Sequence, residues 1–353
     1  MQRRLRPLTF LAAAGATLLP LGACSATPSP SGGGATASTD IASLVQANQK
    51  TDVAEVEKSL GTPTVKANTK LCYVTRTLAN EFWGFERGGF ESEAKKLNVP
   101  IQTFAVNDEA SISEQLDKAQ SAMNQGCSAI LASPISATSL DSVFTAALAK
   151  GAPAIVLNDA QGTVPGVVYI GPDATTIGQT AADYIASKLP DGGKVAQIEG
   201  DPGSSNALNR GKGFKAGVAK HPNLNLVASQ TAKWDTNQAQ TIATAMLTAN
   251  PDIKAFYSQN DTMALGVQAA VDAKGLTGKV IIVGTDGIPQ AKKKIAEGGS
   301  YTATVSERPS TEGASGVKTA LWLLDGKKVP AWVDVPAFVI DKANVSQYAT
   351  GMP

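Results

Sequence analysis

Leu71-Cys72-Tyr73-Val74-Thr75 is a short, almost wholly apolar run. It is followed by a helical pattern over residues 82–97 and then by a second run, Ile101-Gln102-Thr103-Phe104-Ala105. A strand buried on both faces reads as a continuous apolar stretch, whereas a half-exposed strand alternates. Two such strands separated by a helix form a parallel pair, because a parallel connection needs a crossover. Working outward, strands are predicted at 129–133, 154–158 and 167–171, with helices at 112–125 and 139–150. The rhythm then begins again, with strands at 194–199, 224–231, 255–258, 280–285 and 300–305. Helices are predicted between and beside them at 176–188, 206–219, 237–249, 262–273 and 289–297. The fold class is therefore α/β, with two doubly wound parallel-sheet lobes joined by a three-segment hinge.

The expected crossings lie near Gly171-Pro172-Asp173, near Ser306-Glu307 and over 334–336. They divide the chain into a first lobe of 68–171 plus 306–334 and a second lobe of 172–305 plus 335–353. The late helix at 311–324 and the extended stretch at 331–340 return to complete the first and second lobes. Residues 68–353 exceed what one hydrophobic core holds, in keeping with two.

The N-terminus carries Arg3, Arg4 and Arg6, then an apolar run at 8–21 that is short for a membrane span. It ends in Leu21-Gly22-Ala23-Cys24, which resembles the bacterial lipobox. Residues 1–23 are expected to be a lipoprotein signal peptide and Cys24 the lipidated first mature residue, anchored to the cell membrane outside the cytoplasm. A twin-arginine reading of Arg3-Arg4 lacks the other residues expected around that pair. Residues 24–39 are small, polar and uncharged, as a flexible tether would be. Residues 40–67 form an expected peripheral segment, with Ile41, Leu44, Val45, Val53, Val56 and Leu60 at loosely helical spacing and Gly61-Thr62-Pro63 as the stop.

Removing residues 1–23, which hold three arginines and no acid, takes the formal charge from +1 to −2. A near-neutral domain argues against nucleic acid as a partner. The chain is expected to act as a monomer. Cys72 and Cys127 fall beside strands that a doubly wound order makes neighbours, leaving open a disulfide or two buried thiols.

Ligands of open parallel sheets bind beyond the carboxyl ends of the strands, where the strand order reverses. The residues there are polar: Arg76, Asn80 and Glu81 after the first strand, Ser133 after the third, Asn158 and Asp159 after the fourth. In the second lobe they are Trp234, Asn260, Asp286 and, past the last strand, Glu307. Amides and carboxylates in that number suit a ligand with several hydroxyls. Phe82 and Trp83 in one lobe and Trp234 in the other offer aromatic faces for its C–H surface. Nothing points to catalysis. The lone histidine, His221, lies in a His-Pro-Asn turn, Gly211 and Gly213 sit inside a helical pattern, and no metal or cofactor motif follows a strand. Glu199, Asp286 and Glu307 leave a glycosidase pair as the enzymatic alternative.

Leu78 through Trp83, Ser133-Pro134, Asn206 through Phe214, Gln259-Asn260-Asp261-Thr262-Met263-Ala264-Leu265-Gly266 and Val283 through Gly287 resemble, in order, the motifs of the ribose-binding-protein group of periplasmic sugar-binding proteins. The resemblance implies a type I periplasmic binding fold and capture of a sugar or polyol for the permease and ATPase of an ABC importer. It implies no cofactor. It places Asn80, Phe82, Trp83, Asn158, Asp159, Trp234, Asn260 and Asp286 around the ligand and Glu307 near the hinge, with Arg210 kept from the Arg-Gly-x-Gly-Phe motif.

Two arginines of that group are replaced, by Asp159 and by Leu208, while Arg76 stands where a small polar residue is usual. Losing two guanidinium forks removes rigid bidentate donors. Another pentose, a tetritol or a pentitol such as xylitol is therefore expected in preference to ribose, with Arg76, Glu81 and Glu307 supplying a different polar pattern. Arg76 and Glu81 are equally readable as a structural ion pair. An anchored sensor for a membrane receptor is the alternative role. A repressor of the lactose type would need a helix-turn-helix where this chain carries its export signal.

Overall fold

The computed structural model describes residues 40–159, 163–349 and 351–352. The signal segment, Cys24 and the tether lie outside the described residues.

The first sheet holds β1 (Val45–Asp52), β2 (Leu71–Thr75), β3 (Ile101–Ala105), β4 (Ala129–Ala132), β5 (Ala154–Leu157), β6 (Val168–Gly171) and β12 (Val329–Asp334). Their order is β1-β12-β6-β5-β4-β2-β3, parallel throughout. Every residue of β2, β4, β5 and β6 is buried, which is why these strands read as unbroken apolar runs.

The second sheet holds β7 (Gly193–Glu199), β8 (Leu224–Thr231), β9 (Ile253–Ser258), β10 (Ile281–Asp286), β11 (Tyr301–Ser306) and β13 (Phe338–Asp341), in the order β13-β11-β10-β9-β7-β8. Only β13 runs antiparallel to its neighbour. The order reverses between β2 and β4 in one sheet and between β7 and β9 in the other, so each lobe has a switch point at its strand tips. The late extended stretch divides, β12 pairing in the first sheet and β13 in the second.

Two helix pairs approach to backbone contact through glycine. In the first lobe α3 (Glu81–Lys96) crosses α11 (Pro309–Leu324), and a Cβ on Gly313 would stand 2.0 Å from Glu86 O. In the second, α6 (Ala174–Lys188) crosses α7 (Ser205–Lys220), and a Cβ on Gly213 would stand 2.0 Å from Thr175 O. Gly213 thus serves close helix packing.

The segment 40–67 departs from the single helix its apolar spacing predicts. It is a short helix, Ile41–Leu44, then strand β1, then a helix, Val53–Leu60. Residues 46–50, Gln-Ala-Asn-Gln-Lys, carry no large apolar side chain for a helical face to bury, and the edge of β12 offers their backbone a ladder instead. Ile41, Val53 and Val56 pack into the first lobe's core on either side of β1.

Cys72 on β2 and Cys127 ahead of β4 are joined by a disulfide, with Cα atoms 5.8 Å apart. The strands are direct neighbours, Leu71 opposite Ala129.

Candidate functional site

The strand tips of the two lobes face each other across a cavity. From the first lobe it is lined by Arg76, Asn80, Phe82, Trp83, Glu109, Asn158 and Asp159, and from the second by Asn206, Arg210, Trp234, Asn260 and Asp286.

Two of these side chains are fixed because each caps the helix that follows a strand. Asn80 caps α3 by accepting from Phe82 N. Asn260 likewise caps the helix Asp261–Ala273 by accepting from Met263 N. Phe82 and Trp83, in the first turn of α3, are buried in one apolar cluster with Met263 and Ile288 of the second lobe, and Trp234 packs against it. Trp234 has left-handed backbone (φ 66°), and its ring lies so close to Gly200 that a Cβ there would stand 2.1 Å from Cη2.

The lobes meet directly as well. Asp159 accepts from Ser204 Oγ at 2.6 Å and from Asn206 N at 3.0 Å, and Asn206 Nδ2 donates to Asn158 Oδ1 at 2.8 Å. These contacts join the N-terminal end of α7 to the tip of β5, which is a closed arrangement.

Arg76 is enclosed by protein. Its Nε donates to Pro134 O at 3.1 Å, its Nη2 donates to Pro134 O and lies 2.6 Å from Asp159 Oδ2, and its Nη1 is 3.7 Å from Glu109. The guanidinium stacks 4.9 Å from the Trp83 ring, whose Nε1 donates to Glu109 at 2.9 Å. Arg210 holds the other side. Its Nη1 donates to Gln259 O at 2.7 Å and lies 3.9 Å from Asp286 Oδ1, and its Nη2 is paired with Glu307.

Burial, then the neighbouring carboxylates Asp261 and Glu307, push Asp286 well above the usual carboxylate range, against the pull of Arg210. Burial also raises Glu109, opposed by Arg76. Three buried polar atoms of lining residues make no hydrogen bond to the described residues: Trp234 Nε1, Arg210 Nε and Glu109 Oε2. Left unmet, each would cost free energy, so a cavity lined by them favours a polar guest.

Of the side chains picked out from sequence, Arg76, Asn80, Phe82, Trp83, Asn158, Asp159, Arg210, Trp234, Asn260 and Asp286 are brought together here. Three are not. Ser133 turns inward and donates to Glu86 at 2.6 Å, beside the Tyr73 hydroxyl. Glu81, the first residue of α3, lies outside the lining, and Lys292 is its charged neighbour. Glu307 is buried beside the cavity, paired with Arg210 and accepting from Asn158 Nδ2 at 2.6 Å. Arg76 pairs with Asp159 and Glu109, not with Glu81.

Glu109 and Asn206 were missed. Glu109 follows β3, so the rule of inspecting the residues after each strand, applied to that strand too, would have found it.

Asn158 Nδ2 also lies 3.1 Å from Glu312. Burial and then Glu86 hold Glu312 well above the carboxylate range, and Glu86 is itself pushed up to about 7, chiefly by burial. The folded chain therefore binds more protons than the unfolded one between about pH 4.5 and 7. This contribution to stability is complete below the lower value and is lost as pH rises through the upper. In a thermal melt series from pH 5 to 8, Glu86→Gln, which stays neutral, is expected to flatten the decline in midpoint. A slope equal to wild type contradicts the assignment.

Residues 71–328 match the periplasmic binding protein domain family. The chain is a periplasmic binding protein. It is 37% identical over 292 residues to the D-allose-binding periplasmic protein of Escherichia coli (strain K12), covering 80% of this chain and 93% of that protein. It is 29% identical over 290 residues to the xylitol-binding protein of Mycolicibacterium smegmatis, covering 81% and 82%. The structure of an ABC transporter periplasmic solute binding protein from Actinobacillus succinogenes 130z with bound D-allose superimposes with a TM-score of 0.76 at 29% identity, covering 80% of this chain and all of that one. This periplasmic binding protein has the type I fold, with the cavity at the gap between its lobes.

Proposed function

We propose that this periplasmic binding protein captures one small polyhydroxylated molecule, a sugar or sugar alcohol, by closing its two lobes, and presents it to the permease and ATPase of an ABC importer. The observation that carries this reading is a single cavity built half from each lobe, with aromatic rings on both sides and unmet polar atoms among its lining residues. A guest touching both lobes stabilises the closed form by its differential affinity for it. Lipid anchoring through Cys24 and action as a monomer belong to the same proposal.

The polar pattern favours an acyclic polyol or a pentose other than ribose. Arg76 occupies the neighbourhood of Asp159, yet its Nε and Nη2 are taken by Pro134 and Asp159, so it offers a guest little besides Nη1, which stands 3.7 Å from Glu109. What remains among the lining residues are the acceptors Glu109 Oε2 and Asp286 and the donors Trp234 Nε1 and Arg210 Nε. A ligand made wholly of hydroxyls meets acceptors and donors alike.

Calorimetry against D-ribose, D-allose, D-xylose, xylitol, erythritol and myo-inositol tests this. At least one pentitol, tetritol or other pentose is expected to bind more tightly than ribose. Ribose exceeding all of these overturns the ligand preference, and no binding across the panel overturns the function.

A further inference from the structure

Strand β1 precedes the residues matched by the family, yet it reaches the hinge. It runs parallel to β12 with Lys50 opposite Trp332. Lys50 Nζ stands 3.9 Å from the Trp332 ring centroid, 3.3 Å from Asp334 Oδ2 and 3.6 Å from Asp173 Oδ2. These carboxylates belong to different crossings. Asp334 ends β12 where the chain leaves for β13. Asp173 follows β6 where the chain first enters the second lobe, and it caps α6 through Thr175 N and Thr176 N. One ammonium group therefore ties together two of the three segments that must bend when the lobes separate.

The contact continues to the cavity. Trp332 Nε1 donates to Gly171 O at 2.9 Å, and its ring meets Tyr169 edge-on with centroids 5.5 Å apart. The Tyr169 hydroxyl lies 2.7 Å from Asn158 O and 3.0 Å from Pro172 O. Asn158 lines the cavity. Electrostatics at the hinge also depend on Lys50. Burial, followed among like charges by Asp173 and Asp52, raises Asp334, and Lys50 opposes them.

We propose that Lys50 is a positioning residue for closure: it clasps the two crossings in the closed geometry and so sets the fraction of chain competent to hold ligand. Apparent affinity scales with that fraction. The affinity readout rests on the sugar-binding reading above; the scattering readout does not.

The test uses the full mature chain, wild type against Lys50→Met, which keeps the apolar stem over Trp332 and removes the charge. Binding of D-allose and xylitol is expected to weaken about three- to tenfold, the scale of two partly exposed ion pairs and one cation–π contact. Adding Asp173→Asn, which keeps a capping side chain and removes the facing negative charge, is expected to restore most of the loss. A merely structural strand predicts no such rescue. Affinity within twofold of wild type in Lys50→Met, or no recovery in the double variant, overturns the clasp. If no member of the sugar and polyol panel binds the wild type, the sugar reading has failed and small-angle scattering of the ligand-free chains decides. A larger radius of gyration in Lys50→Met supports the clasp, and equal radii overturn it.

Discussion

Asp286→Ala is expected to lower affinity for a sugar or polyol by about a hundredfold, the scale of leaving a buried ligand hydroxyl without its partner. The fold should survive the change. Asp286 stands at the tip of β10 with its carboxyl buried, 3.9 Å from Arg210 and in repulsion with Asp261 and Glu307. Among the described residues its side chain accepts only a long bond from Asp261 N at 3.4 Å, and Arg210 keeps its pairing with Glu307 and its bond to Gln259 O when Asp286 is gone. Deleting a repelled, buried carboxyl leaves no cation stranded, so the thermal midpoint of the ligand-free variant should match or exceed that of wild type. Trp234→Ala should weaken binding comparably by removing one wall of the cavity. Wild-type calorimetric affinity in both variants contradicts the placement of the site.

Replacing both cysteines of the Cys72–Cys127 bridge by alanine is expected to destabilise the first lobe by about 2–5 kcal/mol, the usual range for a native disulfide. The bond closes a loop of sequence separation 55, long enough for the unfolded chain to gain considerable freedom when it is removed. It ties β2 to β4, the two strands flanking the switch point of the first sheet, so the loss falls on the element from which Arg76 and Asn80 project. Denaturant unfolding followed by circular dichroism should show an earlier transition in the double variant, with ligand affinity at 25 °C little changed. Coincident transitions contradict the expectation.

The architecture was legible because buried parallel strands leave an unmistakable trace. β2, β4, β5 and β6 are covered on both faces, so they read as apolar runs, and the restart at β7 revealed the second lobe. Strand β1 was not legible. Its burial is slight, its side chains from Gln46 to Lys50 are exposed, and what makes it a strand is the free edge of β12, nearly three hundred residues away in sequence.

The candidate site was legible to the extent that side-chain type and position after a strand decide it. Trp83, Trp234, Asn260 and Asp286 meet as that rule requires. The misplaced residues show its limit, because position after a strand fixes the backbone and not the direction of the side chain. Ser133 follows β4 but turns into the core toward Glu86, and Glu81 begins the same helix turn as Trp83 while lying outside the lining. Glu307 belongs to the charged layer behind the cavity, where it compensates Arg210.

Ligand capture as proposed depends on one crevice shared by two lobes. A crystal structure of the chain with the tightest-binding member of the sugar and polyol panel tests that most directly. The ligand is expected between Trp83 and Trp234, hydrogen-bonded to Asp286 and Asn260 of one lobe and to Glu109 or Asn158 of the other. Ligand held by one lobe alone, or at any position away from these side chains, would contradict it.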